Sequence, residues 1–147
     1  MTPKTMDKVA MVARIAEQAS IRELSVKQQR HQQKDAQLEQ LLQFKREYEE
    51  KLDQVTGSGI GAKQLQDYRL FMHKLNQAIV QHRRELEIAA ADMGLARAQW
   101  LSKSQRKSAL DHLVEQAHRA QLAAHDKAEQ KAADENTLAR TISRREE

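Results

Sequence analysis

Residues 65–117 read LQDYRLFMHKLNQAIVQHRRELEIAAADMGLARAQWLSKSQRKSALDHLVEQA. With position a set at Leu65, the a series is Leu65, Met72, Ile79, Leu86, Met93, Trp100, Lys107 and Val114. The d series is Tyr68, Leu75, His82, Ala89, Ala96, Lys103, Leu110 and Ala117, and thirteen of the sixteen are apolar. An apolar period of 3.5 residues held over eight heptads means a coiled coil, because only a supercoiling partner keeps such a stripe covered.

Working outward, the stretch is preceded by Val55-Thr56-Gly57-Ser58-Gly59-Ile60-Gly61, which holds three of the chain's four glycines. Glycine clusters supply positive φ and end helices. The fold class is therefore all-α: an antiparallel coiled-coil hairpin of two long helices in a single domain. Helix 1 spans about 4–55, the turn 56–61 and helix 2 about 62–140, with helix 2 extending beyond helix 1. Gly94 lies inside helix 2 at a cost of about 1 kcal/mol relative to Ala, which a long helix absorbs.

Helix 1 is less regular. Leu38, Leu41, Tyr48, Leu52 and Val55 keep one heptad frame, with Lys45 a polar exception. Val9, Val12, Ala16, Ala19 and Val26 repeat one residue out of that frame. Residues 27–37 hold a single apolar residue, Ala36. A wet, loose seam is expected there, with a shift in register. Folding back at the turn sets Val55 against Leu65, Tyr48 against Met72, Leu41 against Ile79, and Trp100 against Ser20 and Ala19. Arms of this size make a rod of roughly 75–80 Å. Helix 1 runs out opposite 110–116, so residues 116–147 are expected to be unpaired and frayed.

Composition agrees. Only 3% of the 147 residues are aromatic and 31% are charged, so there is no material for a sheet core or a thick interior. The net charge of +4 is spread thinly: ten Lys and Arg face nine Asp and Glu in 1–55, nine face six in 56–115, and six face six in 116–147. Cysteine is absent, which excludes disulfides and thiol chemistry and fits a reducing cytosol. The first residues lack an apolar h-region, and no apolar run reaches the ~18 residues a membrane span needs. The expected location is cytoplasmic.

Catalysis needs groups converging in a concave, water-excluding pocket, which a two-helix rod does not provide. No catalytic residue, cofactor or small-molecule substrate is expected. His118 and His125 share a face seven residues apart, whereas zinc on one helix uses i,i+3 or i,i+4 spacing and a further ligand. No metal site is read there. Gly57 to Gly61 resembles a phosphate loop, but a helix precedes it and no Gly-Lys-Ser/Thr follows.

Two surfaces point to partners. Gln37, Leu41, Phe44 and Tyr48 recur at i, i+4, i+7 and i+11, and Phe71, Leu75, Ala78 and His82 repeat that spacing on helix 2. Phe44 and Phe71 hold g positions, which flank the same side of an antiparallel seam and normally carry charge. They make an exposed apolar strip, a mark of a partner site, or they thicken the local core. The second surface is basic. Between Asp92 and Asp111 there is no acidic residue, and Arg97, Lys103, Arg106 and Lys107 surround Trp100, with Arg14 facing. Lys103 and Lys107 fall at seam positions. A merely solvated face accounts for this end best, an acidic protein surface next, and nucleic acid, whose binding would weaken steeply with salt, least.

The chain resembles the FliJ family of flagellar type III export proteins. The resemblance runs from about Gln37 to Gln116. It rests on Gln37-Leu38 with Tyr48, on Ile60, on Tyr68, Phe71, Leu75, Ala78, Ile79, Gln81, His82 and Arg83 in their spacing, and on Trp100 followed by Lys103 and Arg106. It implies a non-enzymatic stalk and adaptor similar to the central stalk of rotary ATPases. It implies three partners: the hexameric flagellar export ATPase at the open end, the export gate membrane protein, and export chaperones. Through that apparatus the chain would be peripheral to the inner membrane. The family's gate-binding strip matches Gln37, Leu41, Phe44, Tyr48, Phe71, Leu75, Ala78 and His82. Phe44 stands where other members can carry Tyr. Without the family, the same residues suit a generic coiled-coil adaptor or an extended parallel dimer.

Overall fold

The computed structural model describes residues 2–146. Two helices account for nearly all of them: α1, Pro3–Thr56, of 54 residues, and α2, Ala62–Glu146, of 85 residues. Helix α1 starts where the chain offers a cap. The Thr2 hydroxyl accepts from the Thr5 amide at 3.2 Å, and Pro3 occupies the first helical position, where its missing N–H costs nothing. It ends where Thr56 Oγ1 donates to the Leu52 and Asp53 carbonyls at 2.9 and 3.0 Å, and the Ser58 amide donates to the Val55 carbonyl. Only Gly59 among the turn glycines takes positive φ, at 83°.

The contacts fall in two compact units. One comprises Ala19–Leu101, the turn with the adjoining arms of both helices. In this hairpin the buried cluster is Leu38, Leu75 and Ile79, against which Leu41, Leu42, Phe71, Met72 and Leu86 pack. Ala89 and Ala96 continue the buried side of α2. Trp100 and Ser20 are half-buried while Ala19 is exposed. The other unit joins the described residues up to Gln18 to those from Ser102 onward. Ala10 and Ala13 are its buried residues.

The inward positions of α1 keep the frame read from Leu38 to Leu52 and revise the one read nearer its start. In the hairpin unit they are Ser20, Leu24, Lys27, His31, Lys34, Leu38, Leu41, Lys45, Tyr48 and Leu52. In the other unit they include Met6, Ala10, Ala13 and Glu17. These numbers keep one heptad frame along α1, so the expected register shift is absent from it. Of the apolar residues read one place out of that frame, Val12 and Val26 are 66% and 62% exposed and Ala19 is exposed, while Val9 and Ala16 are half-buried. Across residues 27–34 the inward frame positions are polar, Lys27, His31 and Lys34, each half-buried. Lys and His stems bury along the seam while their polar ends reach outward to partners or water.

Helix α2 also departs from its expected extent. Its seam side is half-buried as far as Ala117, and every described residue from His118 onward is exposed yet helical. His118 Nε2 lies 3.0 Å from Asp7 Oδ1, and Arg14 Nη2 lies 3.9 Å from Asp111 Oδ1. The start of α1 thus reaches about one turn further along α2 than counting from the turn implies.

Candidate partner-binding edge

The chain has two Phe and two Tyr, and all four meet on one edge of the hairpin unit. The Tyr48 ring stacks on Phe71 at 4.6 Å between centroids and on Tyr68 at 6.3 Å. Phe44 meets Phe71 edge-to-face at 6.0 Å and tilts against Tyr48 at 5.1 Å. Offset and edge-to-face pairs of this kind add about 0.5–1.5 kcal/mol beyond their area. Phe44 and Phe71 therefore share an edge, as their g positions require.

Their exposures differ. Phe44 is 42% exposed and Gln37 is exposed. Leu41, Tyr48, Phe71, Ala78 and His82 are half-buried. Leu75 is 7% exposed and belongs to the core, where it supports the edge from beneath and offers a partner no surface. Phe71 thickens the core, and Phe44 stays at the rim.

Gln37, Gln40, Leu41, Phe44 and His82 line a shallow groove beside the rings. His82 Nδ1 is enclosed there and makes no hydrogen bond, standing 3.8 Å from Glu85 Oε2. That carboxylate accepts instead from Lys34 Nζ at 3.0 Å. The hydrogen bond from Lys34 holds the Glu85 carboxyl below its ordinary value of 4.5, with the Lys34 charge, Gln81 and His82 adding to the effect and burial opposing it. Nearer the turn a second groove is lined by Tyr48, Leu52, Val55, Ile60, Tyr68 and Phe71, with Lys51, Gln64 and Asp67. Burial raises the Tyr68 phenol, and Glu49 and Asp53 raise it further. Tyr68 was legible in the sequence as a seam residue and as part of the family resemblance, but not as part of the strip. Its part in the aromatic edge depends on Tyr48 lying opposite.

Of the basic residues, Arg14, Lys103, Arg106 and Lys107 lie in the unit that joins the described residues up to Gln18 to those from Ser102 onward. Asp111 takes two of them: its Oδ1 faces Arg14, and its Oδ2 is 3.8 Å from Lys107 Nζ. Lys103 is exposed, and Ser104 takes the half-buried place expected of it. The seam steps four residues from Trp100 rather than three, which leaves the ammonium in water. Lys103 and Arg106 line a groove with Thr5 and Lys8 over Val9, Val12, Ala13 and Ala16. The sequence reading missed that groove because Val9 and Val12 seemed to belong to the seam. Arg97 is exposed in the hairpin unit.

The model of the Flagellar FliJ protein family matches residues 3–147. The chain belongs to the FliJ family. It is 34% identical to the Flagellar FliJ protein of Salmonella typhi over 104 residues, 71% of each chain. It is 33% identical to that of Escherichia coli strain K12 over the same length and share. Membership in FliJ assigns the chain a role in flagellar protein export. No helix among the described residues is long and apolar enough to cross a membrane.

Proposed function

We propose that this chain is a non-enzymatic stalk and adaptor of flagellar export. It binds the export gate through the aromatic edge, and the export ATPase hexamer through the residues around the start of α1. Export chaperones are its third class of partner. The observation that carries the gate reading is Phe44, held by Tyr48 and Phe71 at a rim position where a coiled coil normally places charge. A ring kept 42% exposed by its neighbours is preorganised for a partner and gains burial only on binding. The ATPase reading rests on the groove of Lys8, Lys103 and Arg106 over Val9, Val12, Ala13 and Ala16, which suits an acidic surface with apolar contacts.

The gate arm is tested with the purified cytoplasmic part of the gate protein. Phe44→Ala leaves helicity unchanged and weakens gate binding by about tenfold, as loss of an interface aromatic does. Unchanged affinity would remove the edge from the gate interaction.

A further inference from the structure

In the hairpin unit α2 carries a second apolar face, on the side turned away from α1. The outward b, c and f positions over 88–101 are Ile88, Ala91, Gly94, Leu95, Ala98 and Leu101, six in succession without a polar side chain. All six are exposed, with Ile88 at 59%, Leu95 at 65% and Leu101 at 50%. The inner side of the same four turns is apolar too, with Ala89 and Ala96 buried and Met93 and Trp100 half-buried. Among residues 88–101 only Asp92, Arg97 and Gln99 are polar. Earlier outward positions are mostly polar, among them Lys74, Gln77, Gln81, Arg84 and Glu87, and the apolar ones, Leu70 and Val80, stand singly between polar neighbours. A helix that is apolar all round is normally covered on more than one side. Helix α1 covers one side of this one.

We propose that the outer stripe of 88–101 pairs with the same stripe of a second copy of this chain, the two α2 helices running antiparallel. The occupant follows from the order of the six residues. About the midpoint of Gly94 and Leu95 they read nearly alike in both directions: Ile88 answers Leu101, Ala91 answers Ala98, and Gly94 answers Leu95. A two-fold axis through that midpoint makes the stripe self-complementary, which an isologous interface requires. Ala91 and Ala98 lie on the midline, where small side chains let helix axes approach to about 8 Å. The space beside Gly94, where an added Cβ would meet nothing within 4 Å, shares a layer with Leu95 of the second copy. The stripe holds no charge, so the axis brings no like charges together within it. Four helical turns bury roughly 600–800 Å² in all, less than a stable interface needs, so the pair is weak and reversible.

The chain has no cysteine, so single-cysteine variants report the contact cleanly. Leu95 lies beside the axis, and Cys side chains there fall near the ~3.5–4.5 Å Cβ separation of a disulfide. The two copies of Ile88 are about 20 Å apart along the axis at 1.5 Å per residue. Under mild copper-catalysed oxidation Leu95→Cys therefore forms a covalent dimer, while Ile88→Cys and the outward control Lys74→Cys do not. In sedimentation equilibrium the cysteine-free chain self-associates, and Leu95→Lys lowers the association constant at least about tenfold. Its helicity is unchanged, since Leu95 makes little contact within the hairpin. Linking of Leu95→Cys no faster than the Lys74→Cys control would overturn the proposal, as would a cysteine-free chain monomeric at every concentration. Equal linking by Ile88→Cys would replace the antiparallel pair with a parallel one.

Discussion

Phe44 and Phe71 touch at 6.0 Å yet differ in what holds them. Phe71 packs against the Leu38, Leu75 and Ile79 cluster, and Phe44 stands at the rim. Truncating Phe71 to Ala removes a half-buried ring and lowers stability by about 1–2 kcal/mol, less than the loss for a fully buried Phe. Phe44→Ala costs less, about 0.5–1 kcal/mol, because its ring is the more exposed of the two. Urea unfolding of the two variants separates these outcomes. Glu85 gives the residue scale a pH signature. Its carboxyl is depressed chiefly by the hydrogen bond from Lys34, so its folded value lies below its unfolded value near 4.5. The contribution is present above the unfolded value and is lost as pH falls through the folded one. The urea midpoint therefore drops as pH is lowered from about 5 toward 3, and Glu85→Gln drops less over that window.

Among the glycines, the element scale separates one required by conformation from one that is not. Gly59 holds φ at 83°, where a Cβ is strained, so Gly59→Ala costs about 1–2 kcal/mol. Gly94 sits in a regular helix and a Cβ there meets nothing within 4 Å, so Gly94→Ala stabilises by roughly 1 kcal/mol. Thermal unfolding of the two variants should move in opposite directions. Helix α2 was legible in full register from Leu65 to Trp100, because large apolar residues mark its seam. Helix α1 was legible in existence and ends, and in facing from Leu38 to Leu52, but not in facing nearer its start. Over 20–34 its inward positions include Ser20, Lys27, His31 and Lys34, while Val26 points out. Apolar periodicity cannot find a seam made of long polar stems. The aromatic edge was legible in the strip residues and their g positions. That Leu75 lies beneath it and Tyr68 joins it depended on cross-helix packing that no single-helix pattern contains.

For the whole molecule, the proposed stalk role assigns the exposed end of α2 and the groove of Lys8, Lys103 and Arg106 to the ATPase. From His118 onward every described residue of α2 is exposed, so no packed core depends on that segment. Ending the chain after residue 117 removes the exposed His118–Asp7 pair, a contact of at most about 1 kcal/mol, and lowers the melting temperature by no more than a few degrees. A much larger fall would mean that this segment is covered. As a FliJ family member the chain serves flagellar export, and the proposed stalk role requires it to act on the ATPase. The direct measurement is the steady-state rate of the cognate flagellar export ATPase titrated with the purified chain. The account predicts stimulation that saturates with added chain and disappears when residues 118–147 and the first turns of α1 are removed. No change in rate, with no co-sedimentation of the two proteins, would contradict it.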